Sequence, residues 1–316
     1  MAKTVSIPAT ASISPRRKAI KRDWKINKMV YLMALPVVAY FIIFHYLPMG
    51  GVAMAFQDYS VKKGILGSDW VGLTHFQSFF SSVYFWRLLR NTLLISFYGL
   101  LFSFPLPIVF ALCLNEVRNA KFKKGIQTIS YLPYFISVVV VVSILMDFTK
   151  SDGVITKLVE SLGGKGGALI AKPEWFRSLY IGSNMWQHLG YNSIIFISAL
   201  SAIDMELYEA AKIDGAGRWK QTLHITIPGI TSTIVILLIL RVGQIMTVGY
   251  EKIILMYSPA VYETADVISS YVYRQGIIDT NYSYSTAVNL FNSVVNFAVL
   301  FVANKISRKF SETSLW

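Results

Sequence analysis

The sequence predicts an all-α fold: a polytopic membrane protein with six transmembrane helices and both termini in the cytoplasm. Three observations point there: an apolar composition, apolar runs of membrane-crossing length, and basic residues gathered on alternate loops. Apolar residues fill 54% of the 316 positions and charged ones 15%, against ~25% charged in a typical soluble domain. Runs of about 20 mostly apolar residues cross a hydrocarbon core. They place spans at residues 29–47, 91–114, 126–147, 179–201, 230–250 and 283–304. The net charge of +13 would suit nucleic acid, but its distribution does not. Of the 30 lysines and arginines, 18 lie in the two tails and the second and fourth loops, 11 in the three other, longer loops, and Arg241 inside a span. That bias marks the cytoplasmic side, so no nucleic-acid partner is expected. The basic cluster Arg16, Arg17, Lys18, Lys21, Arg22, Lys25 and Lys28 reads as a topology signal that also touches anionic membrane lipid.

Residues 1–28 are polar and basic and are expected to form a mobile cytoplasmic tail. Residues 29–310 form the six-helix membrane domain, and residues 311–316 a short cytoplasmic tail. The first span is too long for the apolar stretch of a signal peptide and ends on Leu47-Pro48-Met49 rather than a cleavage site, so it remains as a helix. Pro105 and Pro107 each remove a donor from the second span, which is expected to kink or break, and Pro36 and Pro133 raise the same possibility in spans one and three. Irregular backbone at membrane depth needs protein or a water-filled cavity beside it.

In the first external loop, residues 69–76 read as a turn leading into a short interfacial helix. The loop's many aromatics suit anchors at the membrane surface or contacts with an external protein. Gly163-Gly164-Lys165-Gly166-Gly167 lacks the ending and the preceding strand of a phosphate loop and reads as a flexible turn. No ATPase motif occurs, so the chain is expected to bind no cofactor of its own. Cys113, the single cysteine, reads as a small packed thiol. The four histidines are scattered and form no metal spacing or nucleophile triad, so neither catalytic residues nor a metal site are expected.

The fourth loop, residues 202–229, is polar yet ordered in pattern. Asp204 is a good N-cap for a helix from Met205. Leu207, Ala210 and Ala211 fall at helical spacing, Glu209 and Lys212 are i, i+3 neighbours, and Gly215 suits the left-handed residue that ends a helix. A second short helix returns over residues 217–224, and Pro228 leads into the fifth span. The pattern reads as a knob, in which small alanines permit close approach to a groove and the glycine sets the bend, or as an ordinary interfacial hairpin.

Its spelling resembles the "EAA" loop of binding-protein-dependent ABC importer permeases. Glu209, Ala210, Ala211, Asp214, Gly215, Ala216, Ile225 and Pro228 match the family pattern, Thr222 stands where an aromatic is typical, and Ile227 replaces leucine. Residues 44–59 and 256–266 are similar to the MalF/LplB-type branch, associated with oligosaccharide and polysaccharide uptake. The resemblance implies an EAA coupling loop between helices 4 and 5 and no enzyme activity in this chain. It also implies two ATPase subunits that carry ATP and magnesium, a second homologous permease forming a heterodimer, and an extracellular or periplasmic solute-binding protein. It implies location in a bacterial cytoplasmic (inner) membrane.

Polar residues at i, i+3, i+7 spacing share one helix face in three spans. They are Asn184, Gln187 and Tyr191, with His188 adjacent; Arg241 and Gln244; and Asn289, Asn292 and Asn296. Lipid would penalise them, so they are expected to face the bundle interior, either as a solute pathway or as interhelical hydrogen bonds. By register from the EAA glutamate, the resemblance places Tyr191, Arg241 and Gln244 near the sugar contacts of MalF-type permeases. Arg241 can grip a carboxylate in a bidentate fashion, which suits an acidic oligosaccharide such as alginate or another uronate. Pairing with a carbonyl or a partner-subunit acid stays open. Import of a non-sugar solute and a non-transporting membrane scaffold are the competing readings.

Overall fold

The computed structural model describes residues 15–310, with the side chains of residues 15–22, 25 and 310 excepted. The tails expected at residues 1–14 and 311–316, and most of the basic cluster's side chains, lie outside the described residues. The chain divides into two compact units, Met1–Ala53 and Met54–Trp316, where the sequence suggested one membrane domain from residue 29. In the first unit a helix runs Pro15–Phe41, so residues 15–28 are helical rather than a loose tail. The helix continues through Pro36, and its one residue with non-helical angles is Asn27.

Among the described residues, four helical stretches are long and apolar enough to cross a membrane: Ile26–Phe56, Phe85–Glu116, Arg218–Val242 and Tyr282–Lys309. A fifth crossing is available if Ala120–Phe135 and Val138–Ser161 count as one span, but these meet at 98°. The span expected at residues 126–147 is therefore two helices, a break of the kind that Pro133 made possible. Pro133 sits in the short, tight turn Leu132–Phe135 that ends the first of them, and Ser137 caps the second by accepting from the Val140 amide. The helix Pro173–Ser201 is 29 residues long, about 43 Å at 1.5 Å per residue. Asn184, Gln187, His188 and Asn192 keep it more polar than the four stretches above. It packs against Pro105–Glu116, Ala120–Tyr131 and Ile227–Val242, which explains how so polar a helix is tolerated.

Prolines set the irregularities as expected, with a consistent geometry. Three wide π-helical turns, Ile42–Tyr46, Gly99–Ser103 and Thr222–Thr226, each end two residues before a proline: Pro48, Pro105 and Pro228. Proline lacks the donor and its ring crowds the carbonyl four residues back, so the preceding turn widens to absorb both. The second span thus continues through a widened turn that interrupts its regular helix.

The buried core lies in the second unit. One apolar cluster gathers Ile95, Leu145, Phe176 and Ile253; another joins Phe79, Leu88, Met246 and Val288; a third joins Ala111, Phe196, Leu200 and Ile230. The interfacial helix foreseen near residue 76 forms as Thr74–Phe80 after Gly72 at φ +61. Its Phe79 is an internal residue, not a surface anchor, with ring contacts to Phe85 and Phe291. Trp70 and Trp86 remain exposed. Cys113 is exposed, contrary to the packed thiol expected. The buried face of its helix carries Pro107, Ala111 and Leu114, and Cys113 stands two residues, about 200°, from Ala111.

Gly190 is the tightest helix contact: a Cβ there would stand 2.2 Å from the Ser130 carbonyl oxygen. Gly190→Ala must therefore push Ala120–Tyr131 off the central helix. Overpacking of this kind costs about 1–3 kcal/mol, and the variant is expected to melt earlier in detergent while Gly182→Ala, with open space at its Cβ, does not.

Candidate solute pathway and coupling loop

Three interruptions of regular helix line one polar cavity of about 420 Å³. Gly99 and Ser103 come from the wide turn of the second span, Val138 from the start of the helix after the 98° break, and Thr247, Val248 and Gly249 from an unwound stretch after the fifth span. This is the setting in which freed backbone groups survive at membrane depth. Two amide side chains satisfy them. Gln187 donates to the Ile136 carbonyl at the break (3.2 Å). Asn296 accepts from the Met246 amide (2.9 Å) and donates to Thr247 Oγ1 (2.8 Å).

That unwound stretch corrects the expected fifth span. The helix stops at Val242 with Gly243 as its cap, so Gln244 lies beyond the helix end and its shared helical face with Arg241 is lost. Gly243 is forced by packing, since a Cβ there would meet Leu300 Cδ1 at 2.5 Å.

The structure brings Asn184, Gln187, His188 and Arg241 together on the cavity wall. Gln244 shares with Arg241 a separate recess of about 210 Å³. Arg241 itself is exposed, and among the described residues it makes no hydrogen bond or ion pair. Tyr191, by contrast, lies outside this cavity. Its ring stacks on Tyr134 with centroids 3.7 Å apart and planes within 3°, which covers one of its two faces. Asn289 is exposed, while Asn292 is buried with Oδ1 unpartnered; neither lines the cavity. The three-asparagine face is thus split between one residue holding backbone and two placed elsewhere.

Sequence reasoning missed Lys252 and Tyr180, which also line the cavity. Lys252 falls just past the expected end of the fifth span, where Glu251-Lys252 looks like ordinary surface charge. It also missed a buried ionic centre in the segment between Val242 and Tyr282. The Asp266 carboxylate is fully buried and pairs with Arg274 Nη2 at 2.8 Å and Arg87 Nη2 at 3.2 Å. Ser270 Oγ donates to it at 2.9 Å. Asn91 donates to the carbonyls of Glu263 and Asp266 and accepts from Arg177. This network ties the starts of the second and central helices to residues 263–274.

The fourth loop folds as its spelling implies. Asp204 accepts from the Glu206 amide (2.9 Å) and starts Met205–Ile213. Gly215 at φ +73 ends it, with Ala216 N–H donating to Ala211 O (2.8 Å) and Gly215 N–H to Lys212 O (3.1 Å), the paired Schellman bonds. Thr222, standing where an aromatic is typical, donates its hydroxyl to Arg218 O (3.0 Å) and opens the wide turn. Tyr208 OH meets Thr226 Oγ1 at 3.0 Å, holding the two arms together. Glu209, Ala210, Asp214 and Gly215 are exposed, Ala211 is half-buried, and Leu207, Ile213 and Trp219 stand out as exposed apolar side chains.

Residues 103–312 match the family described as binding-protein-dependent transport system inner membrane component. The chain belongs to this family. It is accordingly a multi-pass inner-membrane transport permease component. Protein LplB of Bacillus subtilis (strain 168) is 46% identical over 299 residues, 94% of this chain and 93% of that protein. The polygalacturonan/rhamnogalacturonan transport system permease protein YteP of the same organism is 42% identical over 316 residues, 100% of this chain and 98% of that one. In the crystal structure of a bacterial alginate ABC transporter in complex with alginate pentasaccharide-bound periplasmic protein, one chain matches with TM-score 0.85 and 42% identity, covering 94% of this permease and 99% of that chain.

Proposed function

We propose that this chain is a permease subunit of an ABC importer that moves an acidic oligosaccharide, of the uronate class to which alginate belongs, into the cytoplasm. The observation that carries this reading is the cavity at three helix interruptions, with Arg241 on its wall and no acid paired to it. A volume of about 420 Å³ falls within the usual ligand-site range of about 300–1,000 Å³. Its amides suit sugar hydroxyls, its tyrosines suit ring faces, and the guanidinium suits a carboxylate. The relatives that transport polygalacturonan or alginate support the same class.

In this reading the chain crosses the membrane six times, with Pro173–Ser201 as the polar crossing and both termini inside. It pairs with a second permease, receives solute from an external binding protein, and presents residues 202–229 to an ATPase subunit. ATP and magnesium sit on that subunit. The exposed Glu209–Gly215 arm and the apolar Leu207, Ile213 and Trp219 fit a groove. Closure of the ATPase pair would draw the two coupling loops together and rock the helix bundles, giving alternating access.

The coupling arm has a direct test. A β-branched residue is strongly disfavoured at φ near +73, so Gly215→Val strains or rebuilds the bend. The variant is expected to reach the membrane at normal levels, to lose co-purification with the ATPase, and to import at less than a tenth of the parent rate. Normal ATPase capture and uptake would overturn the assignment of this loop as the contact.

A further inference from the structure

We propose that Lys252 is a second carboxylate-binding cation of the cavity, and that with Arg241 it makes the pathway select for saccharides carrying more than one acidic group. The proposal rests on the acidic-oligosaccharide reading above and goes beyond it by assigning a residue and a selection rule.

Lys252 follows Glu251 and precedes Ile253 on the short helix Tyr250–Met256, with Ile253 and Met256 in the apolar core beside it. The residue is only 6% exposed. Its ammonium has no hydrogen-bond acceptor in the structure and lies 5.8 Å from the centre of the Tyr180 ring. Both residues line the cavity that Arg241 lines. The ring face offsets part of the lost hydration, but a buried ammonium without an acceptor is a standing cost. A purely structural role does not account for it, since methionine would fill the same apolar stem position without that cost.

The contrast with Arg274 sharpens the point. That arginine lies in the same external segment between the fifth and sixth spans, and its guanidinium is bonded to Asp266 through both Nη atoms. Lys252 has no such partner, although Glu251 is adjacent in sequence and lines the cavity; among the described residues no ion pair joins either Lys252 or Arg241 to an acid. The fields of Lys252 and Arg241 also overlap on His188. The cavity wall therefore carries, among the described residues, two cations without an ion-pair partner and one acid, Glu251, and a ligand with a single carboxylate can pair with only one of the two cations. A uronate oligosaccharide offers a carboxylate on each successive ring and compensates both. Burial pushes the Lys252 pKa down to about 8, so the ammonium is still charged at neutral pH and ready for an anion.

Uptake of a uronate tetrasaccharide and of its carboxyl-reduced, neutral counterpart, prepared from both polygalacturonate and alginate, tests the proposal in cells carrying the full transporter. The quantity read is the ratio of acidic to neutral uptake, at membrane levels matched by immunoblot. The parent is expected to favour the acidic form. Lys252→Gln is expected to lower the ratio at least tenfold, and Lys252→Arg to restore it to within threefold of the parent. An unchanged ratio in Lys252→Gln overturns the proposal, as does a Lys252→Arg variant as poor as Lys252→Gln, which would mark a packing role. A parent ratio of one or below instead overturns the acidic-oligosaccharide reading itself, so the two failures are told apart by the parent alone.

Discussion

Replacing Asp266 by alanine is expected to cost about 3 kcal/mol of stability and to leave little folded protein in the membrane. The carboxylate is fully buried, and its partners Arg274 and Arg87 retain 20% and 32% of their side-chain exposure. Removing one member of a buried ion pair costs about 3–5 kcal/mol, because the remaining charge is left without compensation; the partial hydration of both arginines places this case at the lower end. The loss spreads beyond the pair. Ser270 loses its acceptor, and the segment whose carbonyls receive Asn91 is released. Thermal melting of the detergent-solubilised protein measures the effect. Asp69→Asn is the internal comparison: its partner Lys63 is well exposed, surface pairs are weak, and no measurable change is expected. If the two variants melt alike, the buried network does not hold residues 263–274 in place.

The second large effect is functional. Arg241→Gln is expected to reduce uptake of a uronate oligosaccharide by tenfold or more with no loss of membrane abundance. The side chain is exposed and, among the described residues, makes no hydrogen bond or ion pair, so its removal costs no such contact there. It does remove the bidentate donor pair that a carboxylate would use. Charge-assisted bonds of this kind contribute about 1.5–3 kcal/mol, which corresponds to roughly 10- to 150-fold. Arg241→Lys keeps the charge but loses the planar fork and is expected to fall between the parent and glutamine forms. Unchanged transport of the acidic sugar by Arg241→Gln would sink the role of this residue in solute recognition.

The fold of the fourth loop was legible because every signal in it is local. An N-cap at Asp204, helical spacing through Ala211 and a left-handed glycine at position 215 act within a few residues, and the fold reproduces each of them. The prolines were legible in part for the same reason: the irregularity foreseen at Pro105 and Pro107 takes the form of a wide turn before Pro105, while the helix runs on through Pro36. The pathway was only half legible. Gln187 and His188 reached the cavity as their spacing implied, but Gln244 did not keep its helical register with Arg241. Same-face arguments assume a continuous helix, and the fifth span ends at Val242. Tyr191 shares a face with Gln187 by spacing, yet its ring is taken up by Tyr134, a residue 57 positions earlier that no local pattern connects to it.

Sequence by itself determined the membrane class, the approximate spans and the knob on the fourth loop. These follow from composition, proline and glycine chemistry, and hydrogen bonds between near neighbours. Only the tertiary structure decided which polar groups serve backbone and which remain free for a solute. Once helices break at depth, every freed carbonyl and amide must find a partner, and that partner comes from another segment. Gln187 and Asn296 are drawn in this way to Ile136 and Met246, and Asp266 to two distant arginines. Arg241 and Lys252 are left without acceptors, and that absence is visible only when all the other pairings are in place.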